Sequence, residues 1–137
     1  MARRSPDEAI LTAVVAHLDA QTTSDTYTEV PQSTAAPYVK VTLVTGRRED
    51  TCGRFGAVTL IDADAVTAGP SQQLGTRMRN AVIQALNNLT QQTLALSGHA
   101  LLGTAWDLNE YFPEVVNGVK HHHHVASVRL WTEQSTS

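Results

Sequence analysis

Residues 117–133 read NGVKHHHHVASVRLWTE, and the fold turns on whether this stretch is a tag-like histidine run or a strand. A purification tag sits at a terminus, beside a linker or a cleavage scar. Here the histidines run straight into Val125, Ser127, Arg129 and Trp131, alternating with Ala126, Val128 and Leu130. A two-residue period of this kind predicts a strand. Asn117-Gly118 just ahead of it is a strong hairpin-turn signal. The preceding stretch HALLGTAWDLNEYF is then the partner strand, with PEVVNG as the connection. In such a strand His121 and His123 point to one face, and His122 and His124 to the other.

Working back from this hairpin, PSQQLGTRMRNAVIQALNNLT predicts a helix. Leu74, Met78, Ala81, Val82, Ala85, Leu86 and Leu89 follow the helical period and form its apolar face. Gly75 inside that helix costs up to about 1 kcal/mol relative to alanine, which points to close packing. Before it, PYVKVTLVTG and FGAVTLIDADAVTAG alternate as strands, joined by the charged connection RREDTCGRFG. The first helix is SPDEAILTAVVAHLDA, where Ser5 serves as cap, Pro6 as first helical residue and Glu8 as the capping-box partner. Ile10, Leu11, Val14, Val15 and Leu18 make its apolar stripe. The polar stretch after it reads as a surface loop with one short strand near residues 27–30. The order is helix, strand pair, helix, strand pair. It predicts an α+β fold: a mainly antiparallel sheet of about four to five strands, with two main helices packed on one face. Residues 1–137 form a single domain on this reading, with residues 1–5 and 133–137 frayed.

Composition narrows the function classes. At 137 residues with 42% apolar and 17% charged residues, the chain can bury a core without staples. A net charge of −3 gives no global basic footprint for nucleic acid. Cys52 is the only cysteine, so no internal disulfide exists. The basic start MARRSPDEAI meets acidic residues before any apolar run, unlike a secretory signal. No stretch approaches the roughly 20 apolar residues of a membrane span. Phosphate-binding glycine loops, nucleophile elbows, zinc-protease helices and C-x-x-C pairs are all missing, so no enzyme and no cofactor are expected.

Four groups of residues remain as candidate sites. His121 and His123, with Asp62 or Asp64, could hold a metal ion if more ligands converged; the plain alternative is a wet strand face. Asp62 and Asp64 alternate as a solvated strand face does. Cys52 lies among Arg47, Arg48 and Arg54, which favour a thiolate, but Glu49 and Asp50 are equally close. The arginines themselves suit phosphates or an acidic partner surface, or simply a solvated hairpin tip. Asn88-Leu89-Thr90 matches the glycosylation pattern, without a secretion signal to give it meaning.

The order of pieces, with Pro37-Tyr38-Val39 entering the first long strand and a last strand that passes from histidine to Arg129-Leu130, resembles the small tail-completion, or tail-terminator, proteins of long-tailed bacteriophages and phage-like gene transfer agents. The resemblance spans roughly residues 7–132. It implies a homo-hexameric ring that caps a tail tube, stops its polymerisation and meets the neck of the filled head. The implied partners are the tail tube protein and a head-completion protein, in a virion built in the host cytoplasm, with DNA passing the lumen unbound. It places partner contacts in residues 25–36, with Tyr27 and Glu29, and in residues 47–54, with Arg47, Arg48, Glu49, Asp50 and Arg54. In that family the histidine belongs to the sheet; four in a row depart from its one or two. A head-closure protein of the neck, or a small His/Asp metal-binding domain or enzyme, stay open as alternatives.

Overall fold

The computed structural model describes residues 2–50 and 53–135; Cys52 and the C-terminal pair 136–137 lie outside them. Seven elements follow in order: α1 (Asp7–Gln21), β1 (Thr26–Tyr27), β2 (Tyr38–Arg48), β3 (Gly56–Ala68), α2 (Gln73–Leu86), β4 (His99–Val116) and β5 (Val119–Gln134). The five strands form one sheet in the order β1-β2-β3-β5-β4. All long pairings are antiparallel; only the two-residue β1 runs parallel to β2. The expected α+β architecture is thus observed, with the sheet mixed because of β1.

Asn117 and Gly118 form the whole turn between β4 and β5, with φ of 50° and 78°. Two successive positive φ values match the twist of the flanking strands. The residues PEVV therefore continue β4 instead of forming a connection. Both helices cover one face. Ile10, Val14 and Leu18 of α1 and Met78, Val82 and Leu86 of α2 pack on Val39, Val41, Ile61, Ala63, Ala65, Val128 and Leu130.

Several local expectations are corrected. Ser5 Oγ accepts the Asp7 N–H at 3.3 Å, and Pro6 is the N-cap without a side-chain cap, so no capping box forms. Asp7 and Glu8 still place negative charge on the first turn, where the helix dipole favours it. Leu11 and Val15 are only partly buried. Leu74 is 46% exposed, whereas Gly75 beside it is the first-turn residue that packs on His124 of β5. After Leu86 the chain is no longer helical; Leu89 donates its N–H to Thr104 Oγ1 at 2.8 Å, which ties the helix exit to β4. Residues 133 and 134 are not frayed but extend β5. Gln134 accepts the Arg4 N–H at 2.7 Å and donates to Ala2 O at 2.8 Å, fastening residues 2–4 as well.

The outer strand β4 carries register shifts between Leu101 and Gly103 and between Trp106 and Leu108; β2 carries one between Leu43 and Thr45. Each extra residue swaps the faces beyond it and bends the strand.

Candidate functional site

The histidine run sits in β5 where the hairpin end leaves the shelter of the helices, and its alternation is as predicted. His122 and His124 share the helix face with Ala126 and Val128 and are 1% and 2% exposed. His122 Nε2–H donates to Gly69 O at 2.7 Å while its Nδ1 accepts from Tyr111 Oη at 2.8 Å. One neutral tautomer satisfies both bonds. His124 packs at 4.8 Å from the Tyr111 ring, and a Cβ on Gly75 would stand 2.2 Å from its Nδ1. The close packing expected of Gly75 is therefore contact with this imidazole. Burial above all, and then the nearby Arg79 guanidinium, pulls the His124 pKa below its ordinary value, which favours the neutral ring.

On the opposite face His123 stacks on Phe112 at 4.4 Å with the rings 7° apart. Its Nδ1 lies 2.6 Å from Asp64 Oδ2, and its Nε2 lies 3.6 Å from Glu114 Oε1. Burial raises the Asp64 pKa above the usual carboxylate range, against the opposing effect of the His123 hydrogen bond. Asp62 accepts the Ser127 hydroxyl at 2.6 Å. The two aspartates thus bind separate β5 partners. His121 is half-buried, with Nδ1 3.1 Å from Val119 O, where only the N–H tautomer makes a bond. Among the described residues no three or more His, Cys, Asp and Glu side chains group as metal ligands.

The other end of the sheet is charged. Arg47 and Arg48 lie on β2, two residues beyond the strand end read from sequence, and residues 49–55 make the connection to β3. Asp50 organises it: it accepts from Arg3, from Arg48 Nε at 2.8 Å and from the Gly56 N–H at 3.1 Å. The Arg3 hydrogen bond above all, with those from Arg48 and Gly56, holds its carboxyl down at about 2. Arg3 also lies 4.7 Å above the Phe55 ring. Arg54 Nη1 meets Glu133 Oε1 at 2.5 Å. Arg47 and Glu49, 3.5 Å apart, are the most open pair here, with side chains 74% and 48% exposed. Tyr27 and Glu29 are not at this end: Tyr27 rests edge-on against Tyr38 at 6.3 Å where β2 starts, in the rows of the sheet that hold Asp64 and His123, and Glu29 follows it in the exposed loop.

Sequence reasoning missed the apolar hairpin end. Eight of the ten large apolar side chains exposed among the described residues lie on β4 and β5: Leu102, Trp106, Leu108, Tyr111, Phe112, Val115, Val116 and Val119. The signal was present, since Phe112 to Val119 holds apolar residues of both parities, more than one buried face uses.

No family model matches the chain, and neither does any curated protein. Among solved structures, a chain from the virion of a native gene transfer agent particle is similar, with a TM-score of 0.71 and 20% identity. The likeness covers 94% of this chain and 99% of that one. The two chains share a fold over nearly their whole lengths.

Proposed function

We propose that the chain is a structural protein of a phage-like virion that forms a homo-hexameric ring at the tail–neck junction, ending tube polymerisation and joining the tail to the head. The near end-to-end fold likeness to a gene transfer agent virion chain carries this reading. The architecture suits the task. A rigid sheet backed by two helices gives each copy a fixed body. Its two ends offer unlike surfaces, one rich in arginine and carboxylate, the other apolar. Ring formation requires such heterologous contacts, each copy presenting different faces to its neighbours. Tail tube and head-completion proteins are the partners on this reading. The net negative chain suits a lumen that passes DNA without holding it. Tyr27, Glu29, Arg47, Arg48, Glu49, Asp50 and Arg54 contribute the contacts to those partners.

The test is electron microscopy of lysates from the encoding particle with a stop codon in this gene. Filled heads lying apart from overlong or unjoined tails support tail termination. Emptied heads beside tails of normal length assign the chain to head closure, and normal infectious particles refute both. Replacing Arg47, Arg48 and Arg54 together by glutamate gives a second readout. The three arginines are themselves 63–74% exposed, and surface ion pairs are worth about 0–1 kcal/mol each; the expected result is loss of head–tail joining in a chain that circular dichroism shows to be folded. Undiminished yield would remove this edge from the contact surface.

A further inference from the structure

Two apolar surfaces at opposite edges of the sheet are left uncovered, and they differ in shape. The first is the β4–β5 hairpin end. Beyond the last β3 pairing, Ala68 with His121, and the Gly69 N–H donated to Lys120 O at 3.0 Å, the tip residues Val115, Val116 and Val119 are 70%, 41% and 46% exposed. These three valines leave the tip as an apolar knob with no partner in the chain beyond the hairpin itself, and contiguous exposed apolar surface of this kind marks an interaction site.

The second surface is the outer side of α1, the helix lying over β1 and β2. A groove of about 620 Å³ runs along it, floored by Leu11, Thr12, Val15 and Ala16 with Glu8 and Asp19 at the rim. A helix that is apolar on a second side beyond its core stripe calls for cover there. Charge also matches. Lys120 at the hairpin tip is the only Lys or Arg between Arg79 and Arg129, whereas α1 holds Asp7, Glu8 and Asp19 and no Lys or Arg.

We infer that the hairpin tip of one copy seats Val115, Val116 and Val119 in the α1 groove of the next copy, with Lys120 against the Glu8–Asp19 rim. Each copy then gives a tip to one neighbour and receives one from the other, the head-to-tail contact from which rings are built. The inference rests on the ring reading above and adds which surfaces make the ring.

Cysteine cross-linking tests it. In a Cys52→Ser background, Val115→Cys and Thr12→Cys are placed in separate proteins of different mass, and native mass spectrometry of the parent runs in parallel. The expected result is a mixed disulfide dimer on combining the two, none from Val115→Cys alone, and a ring in the parent. A Val115→Asp variant, changed where the side chain is open to water, is expected to keep the monomer Tm and weaken the ring at least tenfold. Homodimers of Val115→Cys would replace the inference by a symmetric tip-to-tip contact. A parent ring with no cross-link, or one indifferent to Val115→Asp, would overturn the tip-in-groove contact and leave the ring standing. A parent that stays monomeric at every concentration would overturn both.

Discussion

Replacing Gly75 by alanine sets two effects of opposite sign against each other, and the structure decides between them. Alanine favours the helix by up to about 1 kcal/mol. Its Cβ, however, would stand 2.2 Å from His124 Nδ1, 2.6 Å from Cε1 and 3.1 Å from Cγ, over an ångström short of an ordinary ~3.5 Å contact. The imidazole has little room to retreat: it is 2% exposed, with the Tyr111 ring at 4.8 Å and the His122 ring at 6.4 Å. Overpacking of this kind costs about 1–3 kcal/mol. The balance predicts a net loss of up to about 2 kcal/mol, or a Tm lowered by up to roughly 7 °C for a chain of this size. Urea and thermal denaturation followed by circular dichroism read it directly. The control is the same substitution in a His124→Ala background. There the obstruction is gone and alanine should raise stability. A Gly75→Ala protein that melts higher than the parent would refute the packing argument, and so would an unchanged sign in the His124→Ala background.

Two further predictions concern pH. The folded-state pKa of His124 lies below its unfolded value of about 6.5. The unfolded chain therefore takes up the proton first, and stability is present above pH 6.5 and lost as pH falls below it. The slope is at most about 1.4 kcal/mol per pH unit. His124→Gln should flatten that part of the stability–pH curve, measured by urea titration from pH 7.5 to 5; an unchanged slope would count against a buried neutral ring. Asp50, held at about 2 in the fold, contributes stability present above its ordinary unfolded value of 3.8 and lost as pH falls from there through 2. Asp50→Asn should therefore lose stability at pH 6 but little at pH 2, and equal losses at both would mean that its charge is not what binds Arg3 and Arg48.

The hairpin of residues 99–134 was legible because Asn117-Gly118 and the alternation after it are local signals that tertiary structure only confirms. The face of each histidine followed from the same alternation. What each histidine meets did not: Tyr111 is eleven residues from His122, Asp64 fifty-nine from His123, and Gly75 lies on another element altogether. Leu74 misled because helical periodicity marks a face but not how wide a stripe of it the sheet covers; Gly75, not Leu74, meets β5 there. The register shifts at Val44, Leu102 and Asp107 leave no mark in the residue types. The short strand expected near residues 27–30 is present as β1 at Thr26–Tyr27, but two residues carry no period from which its bounds could be read. The charged connection was visible as composition, but its organiser, Asp50, was not, since Arg3 reaches it from forty-seven residues away.

The strand order also bears on how the chain reaches this state. β2 with β3, and β4 with β5, are hairpins between sequence neighbours, and each can form early from local contacts. The seam between β3 and β5 instead joins residues 53 to 77 positions apart, from Ala68 with His121 to Gly56 with Glu133. Loop closure on that scale makes the seam the slow step. Until it closes, β3 and β5 are bare apolar edges, so newly made chains at high concentration are open to mispairing with one another. Docking of α2, which contacts both β3 and β5, covers the seam and ends that exposure.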